Sequence, residues 1–232
     1  MKILGLIPAR GGSKGIPNKN RKVLNGKPLL QYTIEAALCS KLLSRVVFSS
    51  EDETLIKLAK SMKVDVPFVR PSKFSKDNSG TLEVVQHAIK KLADEGETYD
   101  AVCLLQVTNP FRTSEFIDEA IKKFKTSGAD TLLSVLKVPH EYNPHWTFKV
   151  SKSGHIKLAT GENQIIKRRQ DLPDAYHRDG AIYLIKTDTI LKQNTLYGKT
   201  ISYIESNPNR YINIDTAKDW DKAEEMVKNF SQ

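Results

Sequence analysis

Short apolar blocks alternate along this chain with stretches whose apolar residues recur every three or four positions. The blocks at 2–7, 45–49, 64–69, 99–105, 130–136 and 181–185 read as strands, and the stretches at 28–39, 52–62, 81–93 and 114–125 as amphipathic helices. Asp52 and Ser114 stand where N-caps belong, and Gly128 follows the last turn of the fourth helix. Strand and helix in alternation predict right-handed βαβ units, hence an α/β fold with a largely parallel sheet. Ligands of such sheets bind beyond the carboxyl ends of the strands. The segment that follows the first block and "QVTNP" after Leu105 both leave such ends.

The rhythm breaks between 137 and 179, a stretch rich in aromatics, histidine, proline and turn dipeptides. It reads as an excursion from the sheet, either a lid or a dimerisation arm. Tyr142, Trp146 and Phe148 lie close together there beside His140 and His145, with no obvious core of their own, which favours pairing two subunits. A strand at 200–204, a short strand "YINI" at 211–214 and a helix from 216 to about 229 complete a single domain over 1–232, with 137–179 inserted within it.

Composition narrows the partners. The chain has 232 residues, 39% of them hydrophobic, and a formal net charge of +9, so an anionic ligand is expected. No long lysine and arginine run or basic amphipathic helix occurs. Aromatics are not interleaved with basic residues as a stacking platform requires, so neither nucleic acid nor a membrane is the expected partner. Cys39 and Cys103 both sit in apolar stretches and read as buried free thiols of a reducing compartment. Arg10 interrupts the opening apolar run too early for a signal peptide, and no stretch approaches the roughly 20 apolar residues of a bilayer span. These features predict a soluble cytoplasmic protein.

The chemistry concentrates in "IPARGGSKGIPNKN", residues 7–20, followed at once by Arg21 and Lys22. It does not match G-x-x-x-x-G-K-[ST], and no helix opens directly after the glycines, so it is neither a nucleotide-triphosphatase loop nor a dinucleotide fingerprint. A long loop with three glycines and five cations after a buried strand can form a nest of amides ringed by positive charge. A polyphosphate is the anion that fits best.

"IPARGGSKGIPNKNRKVLNGKPLLQYTIEAA", "RPSKFSKDNSGT", "LLQVTNPFRT", "RRQDLPDAYHRDGAIYL" and "INIDTAKDW" together resemble, in the same order, the sequence blocks of the acylneuraminate cytidylyltransferases. The resemblance implies a Rossmann-like nucleotide-diphospho-sugar transferase fold, with a mostly parallel mixed sheet flanked by helices and a small dimerisation excursion. It implies transfer of CMP from CTP to the anomeric hydroxyl of a nonulosonic acid, helped by Mg²⁺ (or Mn²⁺), in a homodimer. N-acetylneuraminic, legionaminic and pseudaminic acids are the candidate sugars. A CMP-Kdo synthetase or a sugar-1-phosphate nucleotidylyltransferase of the same fold is the alternative.

By the same resemblance, Arg10, Ser13, Lys14, Lys19 and Asn20 surround the triphosphate and ribose, with Arg10 and Lys19 as charge stabilisers. Arg70 and Thr81 fall on the cytidine side, and Gln106 bridges nucleotide and sugar. Arg169, Gln170 and Tyr183 match the sugar-binding blocks; an arginine fork suits the carboxylate of a nonulosonic acid, and Arg168 stands beside Arg169. The family's D-x-D metal pattern begins here with Asn213, leaving Asp215 as its carboxylate and the expected metal ligand. Val107, His177 and Asp179 are further departures from the common pattern. His140, His145 and His177 fit no common zinc spacing and read as interface or sugar contacts.

Overall fold

A computed structural model describes residues 1–76 and 79–230. The first apolar block becomes β1 (Ile3–Pro8), buried along its length. A two-residue ladder, β2 (Val23–Leu24) with β3 (Lys27–Pro28), closes the opening loop and leads into α1 (Leu29–Cys39). Then come β4 (Arg45–Ser49), α2 (Glu53–Ser61), α3 (Thr81–Asp94), β5 (Ala101–Leu104), α4 (Ser114–Ser127) and β6 (Thr131–Lys137). The excursion holds β7 (Phe148–Val150) and β8 (Ile156–Leu158), an isolated antiparallel pair. The chain returns through β9 (Tyr176–Lys186), α5 (Thr187–Lys192), β10 (Ile201–Glu205) and α6 (Ala217–Asn229).

Six strands form one sheet in the order β10-β6-β9-β5-β1-β4. All neighbours run parallel except β9, which is antiparallel to both β5 and β6. Alternate side chains of these strands feed two cores. Ile3, Ile7, Phe48 and Cys103 pack with α1, α2, α4 and α6 on one face. Leu4, Leu6, Val47 and Val102 pack with α3 and α5 on the other. Helices on both faces explain why the central strands read as unbroken apolar blocks.

Caps set several helix ends. The Asp52 carboxylate accepts from Leu55 N at 2.8 Å, as its position suggested, and Gly128 ends α4 with φ 67°. The α4 cap is Thr113 rather than Ser114, one residue earlier than expected, because the Thr113 hydroxyl reaches Phe116 N. Thr216 and Asp219 form a reciprocal capping box at the start of α6.

Three expectations need correction. Residues 64–69 form no strand: Asp65 makes one bridge to Val47, and Pro67 then removes a ladder donor. "YINI" at 211–214 has no strand partner; it lies across "QVTNP", with Ile214 N donating to Thr108 O at 2.9 Å. Cys103 is buried, and burial pushes its thiol up to about 12, but Cys39 at the end of α1 is exposed.

β9 also begins earlier than the block at 181–185, inside the excursion, and it bulges. Its register on β6 passes from Leu133↔Tyr183 to Val135↔Arg178, so residues 179–182 face Ser134 alone. The Ser134 hydroxyl fixes this bulge through Asp179 Oδ1 and Ile182 N, and Ser206 holds the second Asp179 oxygen.

Candidate active site

The opening loop leaves β1 at the carboxyl end of the sheet and is pinned from both sides. Asn20 Nδ2 donates back to Arg10 O at 2.9 Å, and Gly11 N donates to Glu51 Oε1 at 2.9 Å. At the far end of the loop the buried Lys19 ammonium donates to Ile214 O and to Asp215 Oδ1. Gly15 packs so closely there that a Cβ would stand 1.9 Å from Asp215 O. Besides Lys19, two more of the five loop cations help to build this arrangement. Arg21 donates to Asn18 Oδ1, and Lys22 lies 4.1 Å over the Trp220 ring of α6.

The result is a cavity of about 420 Å³. Arg10, Ser13, Lys19, Asn20, Arg70, Thr81, Gln106 and Asp215 all line it, joined by Asn213. Eight of the expected site residues, drawn from five separate segments, therefore meet at one place. Lys14 is exposed on the same loop but stands outside this wall.

Arg70 is buried and works mainly as a brace. Its guanidinium donates to Ala9 O, to Ser75 Oγ and to Glu51 Oε2 at 2.7 Å. Burial works against ionisation of Glu51. Arg70, the Gly11 amide and the Ser75 hydroxyl outweigh it and hold the carboxyl below its usual range. Glu51 thus ties the opening loop to the segment that carries Arg70 and Ser75, a part that sequence reasoning missed. Its position directly after β4, at a strand's carboxyl end, was the available signal. Phe74, Ser75, Lys76 and Ser79 also line the cavity and were likewise missed.

The expected sugar-side residues divide. Tyr183 is buried on β9 and its hydroxyl accepts from Arg178 Nη1 at 2.8 Å. Tyr183 does not itself line the cavity; Gly180 of the bulge lies between it and Gln106, a Cβ there standing 3.5 Å from Gln106 Oε1 and 3.9 Å from the Tyr183 hydroxyl. Arg169 and Gln170 are not brought to the cavity within this chain. They sit exposed in the excursion, where Arg169 borders a separate hollow with Lys137, His140 and Asp174. The neighbouring Arg168 is paired with Asp171 at 2.7 Å. His145 pairs with Glu162 at 2.8 Å, and His177 lies exposed in the β6–β9 ladder.

Asp215 is well exposed, with one oxygen on Lys19 and the other accepting from Asn213 Nδ2 at 2.6 Å. Among the described residues no three histidine, cysteine or acidic side chains cluster as a metal cage. A single carboxylate at the edge of a cation-lined cavity suits Mg²⁺, whose remaining ligands are commonly water and phosphate oxygens.

The profile of the cytidylyltransferases matches residues 4–232. The chain belongs to the cytidylyltransferase family. It is accordingly a nucleotidyltransferase enzyme. It is 35% identical over 228 residues to the pseudaminic acid cytidylyltransferase of Campylobacter jejuni subsp. jejuni serotype O:2, covering 98% of this chain and 97% of that protein. It is 30% identical over 239 residues to the CMP-N,N'-diacetyllegionaminic acid synthase of Legionella pneumophila, with coverage of 98% and 97%. The N-acylneuraminate cytidylyltransferase of Escherichia coli O18:K1:H7 is 31% identical over 223 residues, 96% of this chain and 51% of that protein. Among solved structures, a CMP:2-keto-3-deoxy-manno-octonic acid synthetase complexed with CTP superposes with a TM-score of 0.74 at 14% identity, covering 99% of this chain and all of that one. That last likeness establishes the fold of this cytidylyltransferase, with its mostly parallel mixed sheet between helices. No helix among the described residues is long and apolar enough to cross a membrane.

Proposed function

We propose that this enzyme transfers CMP from CTP to the anomeric hydroxyl of a nonulosonic acid. The sugar hydroxyl gives up its proton to solvent as its oxygen bonds to the α-phosphorus, the bond from that phosphorus to the bridging oxygen breaks, and pyrophosphate leaves with that bond's electron pair. The observation that carries the reading is the meeting of Arg10, Lys19, Gln106 and Asp215 around one cavity at the end of a glycine-rich loop. Two anions have to approach each other here, so fixed cations and oriented amides matter more than acid–base groups. Arg10 and Lys19 face the charge that moves onto the leaving pyrophosphate. Ser13, Lys14 and Asn20 bind triphosphate and ribose, and Arg70 and Thr81 border the cytidine. Gln106 bridges to the sugar, with Tyr183 behind it.

Asp215 is the residue that would hold Mg²⁺ or Mn²⁺, which supplies charge neutralisation on the phosphates when bound. Arg169 and Gln170 take part through dimerisation. The excursion exposes Tyr142, Phe148, Val150, Ile156 and Ile165, a surface suited to a second copy. A two-fold pair would bring the Arg169 of one subunit toward the sugar held by the other. Light scattering checks this: a fully active monomer at micromolar concentration would exclude it and favour a lid. The two free cysteines fit a reducing cytoplasm.

Pyrophosphate release from CTP with a panel of pseudaminic, legionaminic and N-acetylneuraminic acids tests the function, with Kdo and a sugar 1-phosphate alongside. Turnover confined to one or more of the first three is the expected result. The fold shared with the octonic acid synthetase motivates Kdo as the second reading. Turnover of Kdo alone would replace the proposal with it.

A further inference from the structure

The turn that carries Gln106 is tied to the segments on either side of it. Thr108 O accepts from Ile214 N at 2.9 Å, which joins the turn to the segment holding Asp215. On the other side stands the β9 bulge, and there two side chains make the ties. Arg112 donates from one terminal nitrogen to Ala181 O of the bulge. From the other it donates to Gln106 O, to Asn109 O at 2.6 Å and to Thr33 Oγ1 of α1 at 3.3 Å. Asn109 Nδ2 adds a second tie, donating to Asp179 O at 3.1 Å.

Arg112, Asn109 and Asp179 are all buried, none more than 7% exposed. Every acceptor of Arg112 is neutral, and its buried Nε has no partner among the described residues. An unpaired buried donor is unfavourable and calls for a reason. The aim of the two terminal nitrogens supplies one: a rigid planar fork can hold carbonyls of two segments at a set separation. The bulge is equally fixed at its own end. The Asp179 carboxylate accepts from the Ser134 and Ser206 hydroxyls and from Ala181 N at 2.9 Å. Gly180, at φ 82°, then takes the left-handed conformation that glycine adopts readily and faces Gln106 Oε1. The nucleotide-side cations have other supports, Glu51 for Arg70 and Asp215 for Lys19.

We propose that Arg112 and Asn109 are positioning residues for the acceptor sugar, clamping the turn of Gln106 at a fixed distance from the β9 bulge. The inference rests on the reading that Gln106 bridges nucleotide and sugar. Neither residue lines the nucleotide cavity, so both act through Gln106. Because Lys19 and Arg70 are supported independently, slackening the clamp loosens the sugar and leaves CTP in place.

The test pairs two measurements on the full chain. One is CTP binding with Mg²⁺ by calorimetry. The other is pyrophosphate release against the concentration of whichever of pseudaminic, legionaminic and N-acetylneuraminic acids the wild type turns over. Asn109→Ala should raise KM for the sugar about tenfold, the worth of one buried hydrogen bond, with CTP affinity unchanged. Arg112→Lys keeps the charge but loses the fork, and should raise it further. Asp179→Asn keeps an acceptor for Ser134 and Ala181 and should hold the wild-type KM, whereas Asp179→Ala should not. Adding Asn109→Ala to Gln106→Ala should cost less than Asn109→Ala alone, because the clamp then has nothing to position. An unchanged sugar KM in Asn109→Ala, an equal weakening of CTP, or full additivity with Gln106→Ala would each overturn the proposal. Should Arg112→Lys not fold, the Asn109 and Asp179 variants still decide. Failure of the wild type to turn over any of the three acids would instead overturn the reading beneath it, and the proposal with it.

Discussion

Lys19 Nζ lies 2.9 Å from Asp215 Oδ1, although 196 positions separate the two residues. The lysine is nearly buried and the carboxylate mostly open to water, so the pair fixes the ammonium while leaving Asp215 able to take another ligand. The opening loop and the segment after β10 are thereby joined at the point where a triphosphate would enter. Removing the lysine leaves a carboxylate that water can solvate but also takes a buried donor from the Ile214 carbonyl, so its cost in stability is modest. Its cost in rate is larger. Lys19→Ala, and Arg10→Ala beside it, should lose about 2 to 4 kcal/mol of transition-state stabilisation, roughly a hundredfold or more in turnover at saturating CTP. Near-normal turnover in both variants would remove them from the charge-stabilising role.

Asp215→Asn should raise the Mg²⁺ concentration needed for half-maximal activity several-fold, because the cavity edge loses its carboxylate. Asn213→Asp should lower it, since a second negative charge then faces the same point. A metal titration of both variants checks this. Identical curves for Asp215→Asn and the wild-type chain would move the metal elsewhere.

Gly15→Ala should cost activity and some stability without touching any charged group. The new Cβ would meet the Asp215 backbone at 1.9 Å, and backbone cannot swing aside as a side chain can, so loop and segment must part. Gly12 in the same loop has nothing within 4 Å of the corresponding position, and Gly12→Ala should melt like the wild type. Equal melting temperatures and equal turnover for Gly15→Ala and the wild type would mean that the loop tolerates this displacement.

Much of this site was legible because it is local. Glycines and cations crowd residues 10–22, and Gln106 directly follows an apolar strand. What escaped was whatever depends on contact between distant segments. Glu51 is one acid among 27 acidic residues until the fold brings Arg70, Gly11 and Ser75 to it. Arg112 reads as an ordinary helix-flanking arginine until four acceptors from α1, its own loop and β9 surround it. Strand direction was equally hidden. An apolar block such as 181–185 has the same pattern either way along the sheet, so the antiparallel β9 and its bulge at 179–182 emerge only with the register. Residues 64–69 show the opposite failure: β-branched and apolar side chains suggested a strand that Pro67 prevents.

His87 makes the pH dependence of this fold testable. It sits on α3 with both ring nitrogens buried and unpartnered among the described residues, its ring 5.1 Å from Phe68 and 5.4 Å from Phe74. Burial, and then the positive charges of Lys91, Arg70 and Lys73, push its pKa below the ordinary 6.5. The imidazole is therefore neutral in the folded chain and charges more readily when unfolded. A depressed folded-state pKa contributes stability above 6.5 that is lost as pH falls through the lowered value, because the unfolded chain then binds the extra proton. Phe74 lines the nucleotide cavity, so protonating its neighbour should loosen that wall too. Melting temperature should fall between about pH 7.5 and about pH 5.5 in the wild type, and His87→Phe, which keeps the aromatic contacts and removes the titration, should flatten that fall. CTP affinity measured over the same range should follow. Parallel melting curves for the two proteins across that window would show that other groups, the Glu51 network first among them, govern the acid response.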